Sequence, residues 1–314
     1  MDLRMPLRAR ALDETQPVRT GTVFTSDGER ISVAFDRAID VDFDPATKGS
    51  LCFVVAHGFT GSWRLRDNRR IARALSAYGN VVSFDLRGHG SSSGKSTVGD
   101  AEILDLNAAI DWARWCGAGP IVTVGFSLGG SVVLRQAAHA DAEHHPDAVV
   151  SVSSPGFWFY RGTDRMRLLH VAVENPLGRA ALRYAFDTRV TTNMWQDPFP
   201  TSPSEVAAMI APTPLLVVHG GQDAFLPIEH GETIATAARD GARDRGVADH
   251  TDEWMLEDFG HAESATSTEI AARLGAWGVA ACGGVPVLKL GNVGNTDLTR
   301  MREQSTPAAG WSQT

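Results

Sequence analysis

The chain has 314 residues, 43% of them hydrophobic and 21% charged, an ordinary globular composition. That length is enough for one large α/β domain with an insertion, or for two small domains. The formal net charge of -8 argues against a nucleic-acid binder, which would carry a basic patch. No window approaches the roughly eighteen apolar residues of a membrane span, so none is expected.

Residues 1–19 are polar and mixed and read as a loosely attached arm. MDLRMPLRARALDETQ has arginines but no continuous apolar stretch, so it does not read as a secretory signal, and the expected compartment is the cytoplasm. Thr20 to Phe24 and Arg30 to Phe35 alternate apolar and polar residues around Ser26-Asp27-Gly28, a hairpin signal. Asp40 to Ser50, with Pro45 and Gly49, reads as a loop.

Leu51 to Ala56 is the first buried strand, leading into His57-Gly58-Phe59-Thr60-Gly61 and a helical pattern to about Tyr78. Val81 to Phe84 is the next strand and ends in Asp85-Leu86-Arg87-Gly88-His89-Gly90. Val98 to Cys116 is a predicted helix with Ile103, Leu106, Ile110 and Ala113 on one face.

Pro120 to Gly130, PIVTVGFSLGG, is the most informative stretch. Ile121 to Val124 is an apolar β-branched run suited to a strand buried on both faces. Gly125-Phe126-Ser127-Leu128-Gly129 fits G-x-S-x-G, and a helix-compatible segment, Ser131 to Ala138, follows at once. Strand, sharp turn and helix form the context in which this pentapeptide becomes a nucleophile elbow. A chance glycine-serine turn is the plainer alternative.

Ala148 to Val152 is another strand, ended by Ser153-Ser154-Pro155. The strand–helix rhythm then breaks. Residues 156–204 carry the aromatic run Phe157-Trp158-Phe159-Tyr160 and two helical patterns, the second starting at Asn175-Pro176 as N-cap and first helical residue. Arg161, Arg165, Arg167, Arg179 and Arg183 lie on them, and Asp197-Pro198-Phe199-Pro200 closes the segment. Pro214 to Val218 is a strand leading into His219-Gly220-Gly221-Gln222-Asp223, and Glu229 to Arg239 is a helix. Glu253 to Phe259 is a last strand before Gly260-His261, and Thr266 to Ala280 a last helix. Residues 281–314 are rich in Gly, Ser, Thr and Asn and read as a tail, with Val285 to Leu290 as a stray strand.

Alternating strands and helices predict an α/β fold with a mostly parallel sheet covered on both faces. Ligands bind such sheets at the carboxyl ends of the strands. His57-Gly58-Phe59, Asp85, Ser127, Asp223 and His261 each follow an apolar run and so gather there. A serine hydroxyl needs a base, and the base needs a group that fixes its tautomer. The chain supplies Ser127, then Asp223, then His261.

With these residues the sequence resembles an α/β-hydrolase-fold serine hydrolase. GFSLGG, HGFTG, DLRGHGSS, HGGQDAFLP and FGHAE stand in that family's order. The lidded esterase, monoacylglycerol-lipase-like and lysophospholipase-like members look nearest. The resemblance covers about Thr20 to Ala280 and implies an α/β-hydrolase core of residues 20–155 and 205–280, with 156–204 as a helical lid. It implies Ser127 as nucleophile, His261 as general base and then acid, and Asp223 as the orienting carboxylate. The oxyanion hole would be the backbone N–H groups of Phe59 and Leu128.

The expected activity is cleavage of a carboxylic ester with a small to medium apolar acyl group, with no cofactor and no metal. Thioester, amide, C–C bond cleavage or acyl transfer would use the same triad, and a ligand-binding receptor with slow turnover is an alternative of another class. A serine in place of an acidic nucleophile argues against haloalkane or epoxide chemistry. Phe157, Trp158 and Trp195 are candidate substrate contacts, or else core between lid and main domain. The lid arginines fit a wet helix face better than an anion site. Asp85, Arg87 and His89 are expected to tie loops together, and His57 and His219 to organise turns. Asp223 as a mere helix cap, and His261 as a surface residue, are the alternatives at those positions. His139, His144 and His145 fit a solvated turn better than a metal cluster. Cys52, Cys116 and Cys282 are far apart and show neither a disulfide framework nor a metal site.

Overall fold

The computed structural model describes residues 18–38, 50–193, 195 and 198–284. The N-terminal arm up to residue 17, most of the Asp40–Ser50 loop, Asp197 and the tail with its Val285–Leu290 strand lie outside the described residues.

The elements in chain order are β1 (Arg19–Phe24), β2 (Arg30–Asp36), β3 (Ser50–Ala56), α1 (Arg66–Leu75), β4 (Asn80–Phe84), α2 (Glu102–Trp115), β5 (Ala118–Phe126), α3 (Leu128–His139), β6 (Ala148–Val152), α4 (Asp164–Glu174), α5 (Pro176–Phe186), α6 (Pro203–Ala207), β7 (Leu215–Gly220), α7 (Glu229–Arg245), β8 (Thr251–Leu256), α8 (Ala262–Ala265) and α9 (Thr268–Ala281). The strands form one sheet in the order β1-β2-β4-β3-β5-β6-β7-β8. The hairpin β1–β2 joins β4 antiparallel, and every other pairing is parallel.

Alternation along each strand divides the core. Cys52, Val54 and Ala56 of β3 face one layer, with Leu106 and Ile110 of α2, Val132 and Val133 of α3 and Ile234 of α7. Phe53 and Val55 face the other, with Ile71 and Leu75 of α1 and Ala271 and Leu274 of α9. Strands covered on both sides must be apolar on both sides, so β3 and β5 to β7 read as continuous runs rather than alternating ones.

The chain leaves β3 toward β4 and returns to place β5 on the other flank of β3. The carboxyl ends of β3 and β5 therefore flank a reversal of strand order, where open α/β sheets form ligand crevices. His57-Gly58-Phe59 and Ser127 stand at those two ends.

The structure differs from the sequence reading at three helices. The helix expected from Val98 starts at Glu102. Val98 and Gly99 have φ of 58° and 102°, and the buried Glu102 carboxylate holds that loop by accepting from Ser96 Oγ, Thr97 N and Oγ1, and Gly99 N. The first helix begins only at Arg66, after a turn through Thr60 with φ of 61°. The helix expected over Glu229 to Arg239 continues to Arg245 and stops at Gly246 in the left-handed region. The Asn175-Pro176 reading holds: Asn175 Oδ1 accepts from Leu177 N at 2.8 Å, with Pro176 opening α5.

Between β6 and β7 lies an insertion of α4, α5 and α6. Leu182 is the one α5 residue that is buried, and α4 buries none. The chain then runs back along the loop after β4. Arg189 N donates to Gly88 O, Ser96 N to Arg189 O, and Thr191 N to Ser96 O. The Arg189 side chain adds donation to Ser92 O at 2.5 Å. Among the described residues no helix is long and apolar enough to cross a membrane.

Candidate active site

The turn from β5 into α3 is built by its glycines. A Cβ on Gly125 would overlap the Gly129 carbonyl, and one on Gly129 would overlap the Ala56 carbonyl of β3. Ser127 between them has φ 51° and ψ -113°, a conformation that a non-glycine residue rarely holds. Donation from Ser127 N to Val152 O, and from Ser131 N to Ser127 O, fixes the serine at the start of α3. The first amides of α3 have no carbonyl one turn earlier in the helix to bond, and the positive dipole end lies there.

Three sequence-predicted residues meet at this point. His261 Nε2 is 3.0 Å from Ser127 Oγ, and His261 Nδ1 is 2.7 Å from Asp223 Oδ2. The geometry suits Nδ1–H donating to the carboxylate and Nε2 accepting the serine hydroxyl. The other carboxylate oxygen, Asp223 Oδ1, accepts from Phe225 N at 2.8 Å and Leu226 N at 3.0 Å. Burial pushes the Asp223 carboxyl up, but the His261 bond and these amides outweigh it and hold it below the usual carboxylate range. Ser127, Asp223 and His261 come from the ends of β5, β7 and β8, so three separate chain segments assemble the line.

Leu128, the first residue of α3, is buried beside Ser127, and Phe59, three residues past the end of β3, packs against the same core layer. The Phe59 ring packs edge-on against His89 at 5.6 Å. Trp158 reaches the same region: an ideal Cβ on Gly99 would touch Trp158 Cη2 at 3.1 Å and Leu128 Cδ1 at 3.4 Å. Phe157 packs on His230, with ring centroids 4.7 Å apart. Trp195 packs on Trp158 at 5.0 Å and donates its Nε1 to Thr97 O. Phe157 and Trp158 line an open recess of about 560 Å³, with Phe159, Phe199 and Pro200 on one part of its wall and Ser202, Ser204 and Glu205 on another. Trp195 lines an adjoining recess of about 380 Å³ with Thr97, Asp100, Asn193 and Pro198, and Pro200 borders both recesses. Ser127 and His261 line neither.

The histidines and acids expected to be structural are so. His57 Nε2 accepts from Leu86 N at 3.0 Å, and its Nδ1 then donates to Gly58 O at 2.7 Å. Buried Asp85 receives Ser62 Oγ, Trp63 N and Ser91 N, joining the loops after β3 and β4. Arg87 bridges Asp105 and Asp27. His219 donates toward Leu226 O from beneath Asp223. His144 pairs with Asp141 and Asp111 on the surface.

The contacts around Phe225 were among those not read from the sequence. Phe225 lies on His261, with ring centroids 4.6 Å apart, and Arg165 of α4 sits 5.1 Å over Phe225. Thr163 Oγ1 donates to Phe225 O at 2.8 Å, so the start of α4 is tied beside the histidine. The only signal in the sequence is an aromatic two residues past Asp223.

The profile of the alpha/beta hydrolase family matches residues 53–266. The chain belongs to that family, and its fold is the α/β-hydrolase fold. Human protein ABHD12B is 25% identical over 199 residues, 63% of this chain and 52% of its own. The chain thus spans about half the length of that curated relative. Among solved structures, the Pyrococcus furiosus esterase Pf2001 superposes with a TM-score of 0.61 at 21% identity, covering 87% of this chain and 96% of that one. The esterase domain of a Rhodothermus marinus protein gives a TM-score of 0.55 at 20% identity, covering 85% and 99%.

Proposed function

We propose that this chain is a serine hydrolase that cleaves a carboxylic ester carrying a small to medium apolar acyl group. The observation that carries the reading is the continuous hydrogen-bond line Ser127–His261–Asp223 at a strained strand–helix turn. The esterase names of the structural relatives are in keeping with it.

Ser127 Oγ attacks the acyl carbon while His261 Nε2 takes the hydroxyl proton. Asp223 holds Nδ1–H and stabilises the imidazolium. The carbonyl oxygen, now negative, is met by the Phe59 and Leu128 amides. His261 returns the proton to the leaving alkoxide, and an acyl-enzyme remains. Water, deprotonated by His261, attacks the acyl carbon. Collapse releases the acid and restores Ser127. No cofactor enters this sequence of steps. Residues 156–204 act as a lid, with Phe157, Trp158 and Trp195 as the wall nearest the acyl chain.

The test is labelling with a fluorophosphonate, beside Ser127→Ala, then turnover of p-nitrophenyl esters from acetate to palmitate. The expected result is labelling that Ser127→Ala abolishes, with turnover peaking at one chain length. A folded wild-type protein that neither labels nor turns over any ester would overturn the assignment.

A further inference from the structure

The peptide units around Gly58 are held from two sides, and one of the holds comes from a residue that takes no part in the steps above. An ideal Cβ on Gly58 would lie 3.3 Å from Ser127 Cβ, so this loop borders the serine. The Gly58 carbonyl accepts from His57 Nδ1 at 2.7 Å and from Gly61 N at 2.9 Å. In a trans peptide the C=O and the following N–H point to opposite sides. Holding the Gly58 carbonyl toward His57 and Gly61 therefore turns the Phe59 N–H away from them.

The preceding peptide unit is held by a different group. Gly58 N donates to Glu263 Oε1 at 2.7 Å, across 205 residues of chain. Glu263 stands just past His261, on α8. Its own backbone is anchored, since Arg70 of α1 donates to the carbonyls of Glu263 at 3.0 Å and Thr266 at 2.8 Å. The intervening Ala262 N donates to Ser153 Oγ at 3.0 Å. Glycine has no side chain to brace its backbone, so an outside acceptor is what fixes the plane at Gly58.

We propose that Glu263 is a positioning residue for ester hydrolysis. Its carboxylate holds Gly58 N–H, fixes the loop that presents the Phe59 amide, and locks that loop to the one carrying His261. The inference rests on the esterase reading, because it gives the Phe59 amide an oxyanion to meet.

The test compares Glu263→Gln, Glu263→Asp and Glu263→Ala with wild type on the best p-nitrophenyl ester. Gln keeps an acceptor at the same reach, whereas Asp keeps the charge but is one methylene short. Expected are a fall in kcat of about ten- to a hundredfold for Ala and Asp with KM little changed, and near wild-type kcat for Gln. The Ki of a trifluoromethyl ketone, which forms an oxyanion on Ser127, should rise in step with the loss of kcat/KM. Asp outperforming Gln, or all variants retaining full kcat, would overturn the inference. If Ala fails to fold, the order of Gln and Asp decides. A wild-type protein without labelling or turnover overturns the esterase reading itself, and this inference falls with it.

Discussion

Asp223 divides its carboxylate between two tasks. Oδ1 takes the Phe225 and Leu226 amides, so only Oδ2 is left for His261. In Asp223→Asn the same amides claim the side-chain oxygen and turn the NH2 toward His261 Nδ1. The imidazole must then accept there and carry its proton on Nε2, facing a serine hydroxyl it can no longer deprotonate. On the proposed mechanism kcat should fall by about 10⁴-fold, with the melting temperature little changed. Steady-state kinetics beside a thermal melt check this, and a variant with near wild-type kcat would exclude Asp223 as the orienting group. Phe225 adds a contact of another kind: its ring lies on the imidazole and its carbonyl takes Thr163, so the insertion is attached close to the histidine.

At the scale of elements, the β5–α3 turn is the most constrained junction. α3 can start where it does only because Gly129 lets the helix backbone reach the end of β3. Gly129→Ala would drive a Cβ into the carbonyls of Ala56 and His57, both buried at the end of β3. Core overpacking of this sort costs about 1–3 kcal/mol. Here the strained object is backbone, so the upper end is expected, with loss of fluorophosphonate labelling as α3 shifts Ser127. Urea unfolding and labelling rate measure the two effects; unchanged stability would mean that α3 can move without cost. The β4–α2 connection works differently. Its two left-handed residues, Val98 and Gly99, are held by the four donations to Glu102. That hold shapes the turn at Gly99, which Trp158 and Leu128 both approach.

For the whole molecule, the clearest consequence is acid sensitivity. Burial pushes His89 down to about 3 and His230 down to about 4, with nearby histidines adding to the effect. Both rings lie far below the unfolded value near 6.5. A lowered histidine is neutral in the fold while the unfolded chain takes up the proton, so their contribution is complete above about pH 6.5 and is lost as pH falls toward the folded values. Each ring adds a slope of about 1.4 kcal/mol per pH unit in that window. Asp223, held low, works in the same direction at more acid pH. Surface His144 is the opposite case: burial lowers it, Asp141 and Asp111 raise it further, and its small stabilisation is present at low pH and lost as pH rises through the raised value. Stability by urea unfolding should therefore drop steeply between pH 6.5 and about 4. His89→Phe should flatten that slope whatever it does to absolute stability. An equally steep slope in the variant would assign the acid sensitivity to other groups.

The strand–helix order, the parallel sheet and the convergence of Ser127, Asp223 and His261 at the strand ends were all legible in the sequence. The reason is local: a strand buried on both faces must be a short apolar run, and the elbow's strained turn requires glycines at fixed offsets around one serine. Other features depend on contacts between distant segments, and no local pattern encodes those. The Val98 helix start moved because Glu102 bonds backward to a loop, which outweighs apolar periodicity. Arg189 gives no signal beside the other insertion arginines, yet it alone among them lies along the loop after β4, because the returning chain pairs there. Glu263 reads as an ordinary residue in FGHAE, and only the approach of α8 to the end of β3 brings its carboxylate to Gly58. Residue types therefore determined the chemistry on offer, and the packing of loops at the strand ends decided which groups hold it in place.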